Sequence, residues 1–342
     1  MTSRERFFRT LAYDHPDRLP VVIHASTAGL YVHGQKLLEL FRQYPPDHPA
    51  AFDTLPVPPS TAFDAQGRYH ERKTDDWGVE WEYLIFGIAG HPSRYPIADW
   101  EQADAYAFPG LWPTTGPDFE RPRAELQRNK AQYFMAGGGI SIFEKLHALH
   151  PMDGLLLALA SEEPGLFRFL ERLERHWNDI IDYHLALGYD AIWFGDDWGT
   201  QTAPIISPAM FRDIFRPIYK RLFARVKAGG ARVFFHSCGA LGPIFDELLD
   251  LGIDLIWPQI RWFESDPARI AACRERKVGF YVHPDRQRLI PLGTPAEIRA
   301  EIRRYADLGR QLGGGVVFYV EIENDAPFEN AAALMNSVEE YR

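Results

Sequence analysis

The sequence predicts an α/β protein built as a (β/α)8 TIM barrel, and three observations lead there. Short apolar runs alternate with amphipathic stretches through the C-terminal half: Ala191-Ile192-Trp193-Phe194, Val233-Phe234-Phe235, Leu255-Ile256-Trp257, Val278 to Val282 and Val316 to Val320. Runs that are apolar at every position belong to strands buried on both faces, which means a parallel sheet covered by helices. Upstream candidates at Leu19 to Ile23, Val79 to Leu84 and Tyr133 to Ala136 bring the count to about eight strands, the number in the closed barrel. No Gly-rich phosphate fingerprint follows the first strand, which puts the open doubly wound sheet in second place.

The helices follow from spacing and from their start and stop residues. Phe167, Leu170, Leu173, Trp177, Ile180 and Ile181 recur at helical intervals up to Gly188, a stop signal. Ser207-Pro208 opens a helix as cap and first-turn proline, and Gly229-Gly230 closes it. A helix spans Ile244 to Leu251, Asp266-Pro267 caps one through Arg276, Thr294-Pro295 starts one through Leu312, and Pro327 begins the last. Residues 48–122 are irregular and rich in Pro, Trp and Asp, and read as a decorating insertion and candidate lid within a single domain spanning 1–342.

Composition narrows the class of function. Hydrophobic content of 46% and charged content of 25% are those of a folded soluble chain. The 37 basic against 47 acidic residues leave −10, the wrong sign for a general nucleic-acid partner. No run approaches the ~20 apolar residues of a membrane span, and Met1 to Arg6 lacks the apolar core of a secretory signal. Two cysteines exclude a disulfide scaffold and suit the reducing cytoplasm. Oligomeric state is left open by all of this.

In such barrels the chemistry gathers where the strands end at their C-termini. His236-Ser237-Cys238-Gly239 ends one strand, and an imidazole and a thiol two residues apart can face one point, as a soft tetrahedral metal such as zinc requires. The alternative is a buried Cys packed as a small apolar residue beside a hydrogen-bonded His. Asp196 and Asp197 end another strand beside Trp193, Phe194 and Trp198; there they serve either as catalytic acids raised by burial or as caps for the loop. Glu144 follows the Gly137-Gly138-Gly139 turn as a further candidate catalytic carboxylate. Asp285 and Gln287 follow a third strand, and Glu321 and Glu323 the last. Trp198, His24, Asp285 and Gln287 are the candidates to contact a small-molecule substrate, and Arg286 and Arg288 are candidates to hold an anion.

The chain resembles the uroporphyrinogen decarboxylase superfamily, which includes the zinc methyltransferases of corrinoid systems. The resemblance is carried by Gly188 to Asp197, Ser207-Pro208 to Pro217, Gly230 to Gly242 with His-Ser-Cys-Gly, Gly252-Ile253-Asp254 with Trp257-Pro258-Gln259, Asp285 to Gly293 and Gly313 to Asn330. Met1 to Pro20 and Thr74 to Gly78 add thinner matches. The decarboxylase branch has an Arg-Gln-Ala-Gly-Arg segment, where this chain reads Val22-Ile23-His24-Ala25-Ser26-Thr27-Ala28 and offers no arginine for substrate carboxylates. The methyltransferase branch has His-x-Cys and a later Cys on zinc. His236 and Cys238 match the first two, but Tyr319 to Asn324 has no Cys, so the resemblance makes Glu321 or Glu323 the third ligand. It implies a zinc-dependent methyltransferase moving a methyl group between an O- or N-methyl substrate or a thiol and a corrinoid carrier. With no Asp-x-His-x-x-Gly segment, the corrinoid would come on another protein or free in solution. The alternative is a cofactor-free decarboxylase or lyase.

Overall fold

The structure, a computed structural model, describes residues 1–50 and 52–342; Ala51, inside the expected insertion, lies outside them. Ten strands occur in chain order: β1 (Val21–His24), β2 (Glu71–Thr74), β3 (Glu80–Tyr83), β4 (His91–Arg94), β5 (Ala136–Ile140), β6 (Ala191–Gly195), β7 (Arg232–Ser237), β8 (Leu255–Pro258), β9 (Gly279–Val282) and β10 (Val316–Glu321). Seven form one curled parallel sheet in the order β1-β10-β9-β8-β7-β6-β5, with helices between them. This is the (β/α)8 barrel with its second strand missing. No ladder joins β1 to β5 among the described residues.

The chain itself explains the gap. After the helix Gln35–Gln43 it returns to β1, where Asp47 N–H donates to Val21 O at 2.8 Å. That segment reads Pro45-Pro46-Asp47-His48-Pro49, and prolines cannot donate to a ladder. Opposite, Gly138 and Gly139 of β5 take φ of 101° and 141°, and the register slips between Gly138 and Ile140. A cavity of about 260 Å³, lined by Val22, Pro49, Phe134, Ala136 and Trp193 among others, opens at this seam. The expected strand at Val79 to Leu84 is instead β3, central in a small antiparallel sheet β2-β3-β4 within the stretch 48–122. Its alternation of Glu with Trp and Tyr is that of a strand with one wet face, not of a barrel strand.

The helices lie close to where the sequence puts them: Pro164–Leu187 ends on Gly188 at φ 97°, Pro267–Arg276 is capped by Asp266, and Pro295–Leu312 starts in a Thr294/Glu297 capping box. The Ser207 helix is broken into a short turn, a π-helical stretch Phe211–Phe215 and a helix Arg216–Ala228. Strand residues alternate between two cores. Ile192, Phe194, Val233, Phe235, Ile256, Phe280 and Phe318 pack outwards under the helices. Ala191, Phe234, Leu255, Tyr281, Val317 and Tyr319 fill the barrel, with Trp193 and Trp257 against them. The N-terminal helix Ser3–Ala12 plugs the bottom: the Phe7 and Phe134 rings stack at 4.9 Å. The open end is therefore the C-terminal rim. No helix among the described residues is long and apolar enough to cross a membrane.

Candidate metal centre and barrel mouth

The rim loops after β6 and β7 are laced together before any side chain is considered. Asp196 N–H donates to His236 O at 3.1 Å, Gly199 N–H to Cys238 O at 3.2 Å and Ala240 N–H to Thr200 O at 2.7 Å. The crossing needs glycine on both sides. A Cβ on Gly239, at φ 83°, would lie 2.0 Å from Gly199 O, and one on Gly199 would lie 2.4 Å from Ala240 N. Close approach of two backbones is the reason that Gly follows His-Ser-Cys.

This lacing brings Asp197, His236 and Cys238 together, with one ligand atom from each lying within 4.8 Å of the others. His236 Nε2 is 3.5 Å from Cys238 Sγ and 3.4 Å from Asp197 Oδ1, and Cys238 N–H donates to Asp197 Oδ1 at 2.7 Å. His236 Nδ1 lies 3.0 Å from the carbonyl oxygen of Trp257. A carbonyl only accepts, so Nδ1 carries the proton and Nε2 turns its lone pair to the thiol and carboxylate, which is how a metal-binding imidazole is oriented. Burial pushes the His236 imidazole down, against the attraction of Asp197. Burial first, then Asp197, pushes the Cys238 thiol up to about 12. A cation between these groups would reverse both influences on the thiol.

The other rim residues divide by partner. Asp196 is fully buried and accepts from the Ile142 and Glu144 amides at 2.7 Å each and from the Tyr219 hydroxyl. Burial lifts it to about 7 against these donors. It pins the helix Phe143–Leu149 to β6 and is out of reach of a substrate. Glu144 stands on that helix, and burial followed by the charges of Asp196 and Asp197 lifts it to about 8. Trp198, expected to touch substrate, is fully buried between Phe143 and Phe215, with ring centroids 4.8 Å from each. The loop turns it outwards into the helix layer.

Glu321 and Glu323 are not among the converging donors. Glu321 forms an ion pair with Arg286 and lies 3.7 Å from His24, and Glu323 accepts from Ser26 Oγ at 2.6 Å. The third converging donor is Asp197, expected from sequence as a catalytic acid. His24 is exposed on the rim, 3.7 Å from Glu321. Asp285 accepts from the Gln287 amide and faces Arg261 at 3.5 Å, and the Gln287 side chain is exposed. Two mouth residues escaped the sequence reading: Trp257, whose ring centroid is 4.3 Å from that of His236, and His283, buried at the end of β9. Period-two alternation from the inward Tyr281 points to His283, had the strand been extended by one residue.

A family model described as uroporphyrinogen decarboxylase (URO-D) matches residues 131–341, which include β5 to β10 and all three converging donors. No curated protein matches the sequence. Among solved structures, a methyltransferase from Methanosarcina mazei aligns over 100% of this chain and 99% of its own, with a TM-score of 0.66 and 15% identity, a likeness of fold. A dihydropteroate synthase from Anaplasma phagocytophilum aligns over 60% of this chain and 74% of its own, at a TM-score of 0.36 and 16% identity.

Proposed function

The chain belongs to the uroporphyrinogen decarboxylase family, and from that premise we propose that it is a zinc-dependent methyltransferase. It would move a methyl group between a small O- or N-methylated substrate, or a thiol, and a corrinoid carrier that arrives as a second substrate. The observation that carries this reading is the convergence of an oriented imidazole, a thiol and a carboxylate at the rim. Nitrogen, sulfur and oxygen donors are those of a catalytic zinc site with a position left open, so His236, Cys238 and Asp197 would hold the ion.

Bound there, zinc would supply Lewis acidity towards the heteroatom of the methyl donor. The chain's own residues would do the rest. Trp257 O fixes the His236 tautomer, and Asp197 holds the Cys238 loop through its amide. Glu144, protonated at neutral pH, is the proton donor for a leaving oxygen or nitrogen. Asp196 and Tyr219 hold the helix that carries Glu144.

The cofactor-free decarboxylase reading needs cations for substrate carboxylates, and the arginine identified at the mouth, Arg286, is already paired with Glu321. Metal analysis of the purified protein beside a His236→Ala/Cys238→Ser variant separates the two. Near-stoichiometric zinc that the variant lacks supports the methyltransferase. Protein that stays metal-free after zinc reloading, with activity that tolerates Cys238→Ser, sinks it.

A further inference from the structure

Three buried polar atoms at one side of the mouth have no protein partner among the described residues: Trp257 Nε1, Gln259 Oε1 and His283 Nε2. They sit at the C-terminal ends of β8 and β9, in register with the inward residues Leu255 and Tyr281. Other buried polar atoms of the chain are unpaired as well, Trp100 Nε1 and Trp177 Nε1 among them, but these three stand at the rim where the chemistry of such barrels gathers, so a partner can reach them from outside the protein.

The direction of each bond can be assigned. An indole N–H only donates. His283 Nδ1 lies 3.0 Å from Pro284 O, so it carries the proton and Nε2 is a bare acceptor. His283 is 5% exposed, and burial followed by the Arg286 charge pushes it down to about 3, so the ring stays neutral. Gln259 Oε1 is a second acceptor. Aromatic rings form the wall: Trp257 and Tyr319 have centroids 4.2 Å apart, and Tyr281 and Tyr319 stack at 5.4 Å. Arg286 is cancelled by Glu321, which removes the cation that an anionic ligand would seek. The Trp257 ring adjoins that of His236, so a group anchored here lies beside the donor set.

We infer that Trp257, Gln259 and His283 form the substrate's anchoring subsite, and that it takes a neutral aromatic molecule whose head group both donates and accepts hydrogen bonds, a hydroxyl or a carboxamide. The inference rests on the methyl-transfer reading for its place in the reaction and deepens it by naming the substrate class. Binding at the subsite needs neither metal nor transfer, so the two can fail separately.

The test is calorimetric titration of the intact protein with phenol, benzamide and methoxybenzene. Methoxybenzene keeps the ring and an acceptor but has no donor. Phenol or benzamide should bind about tenfold or more tighter than methoxybenzene, the worth of a buried donor finding its acceptor. Which of the two binds tighter identifies the head group. The preference should shrink to within about threefold in His283→Phe and in the more peripheral Gln259→Leu, with zinc content unchanged. Equal binding of all three probes, no binding up to their solubility, or a preference that survives both substitutions would overturn the inference.

Discussion

The ends of β6 and β7 and the ends of β9 and β10 face each other across one barrel mouth with the same kinds of side chain, carboxylates and imidazoles. On the first side, Asp197 lies beside the His236 imidazole, which burial pushes down, and the Cys238 thiol, with Glu144 near enough to be raised by its charge. On the second, Glu321 is neutralised by Arg286, and Glu323 is held by a serine hydroxyl. A carboxylate with a full cation beside it has little to gain from a metal, whereas one surrounded by neutral donors is an incomplete site. Under the proposed zinc reading, the comparison teaches that the neighbouring charge, and not the residue type, selects which rim carboxylate is free to ligate.

The strongest way to break that contrast is to remove the proposed metal donors. His236→Ala with Cys238→Ser should abolish zinc binding, read by elemental analysis after reloading; zinc retained by the double variant would move the site elsewhere. Next, Trp198→Ala should cost about 3–5 kcal/mol, the range for deleting a large buried aromatic, measured by denaturant unfolding. A loss below about 1 kcal/mol would mean that the indole is not the packed wedge between Phe143 and Phe215 described above. Asp197→Asn should weaken zinc by at least about 10–100-fold, the span seen when a group that merely orients a metal ligand is altered. An unchanged affinity would return Glu321 and Glu323 to contention.

Glu144→Gln tests the electrostatics of the same side. The native carboxyl is raised from 4.5 to about 8 by burial and the two aspartates. The native fold therefore holds this proton more tightly than the unfolded chain does. The stability it contributes is complete below pH 4.5 and is lost as pH rises through about 8. The melting temperature of the native protein should fall relative to the Gln variant between pH 6 and 9, and parallel profiles would refute the shift. The smallest effect sharpens the contrast from the other side. Glu321→Gln should change zinc affinity by no more than about fivefold, the reach of an indirect ~1 kcal/mol electrostatic influence.

Much of this was legible in the sequence, for reasons particular to each element. Pro267, Pro295 and Gly188 punctuate their helices by local chemistry that no tertiary contact overrides. His236 and Cys238 are two apart on one chain, so strand alternation alone turns them to one face. The strand count failed at Val79 to Leu84 because apolar content was weighed without its alternation. The gap beside β1 was written in Pro45, Pro46 and Pro49, a signal available but unused.

By itself the sequence determined the parallel α/β architecture, the capped helix ends at Gly188, Pro267 and Pro295, and the His-x-Cys pair, because periodicity, capping and short spacing act within a few residues along the chain. Only the tertiary structure decided that Asp197 and not Glu321 converges with His236 and Cys238, that Asp196 is a buried pin, and that Trp198 packs into the helix layer. Those outcomes depend on which loops cross and where Arg286 lies, and they join residues from separate strands. A carboxylate carries no mark of its future neighbour, and in a low-dielectric barrel mouth the neighbour sets its charge and its use.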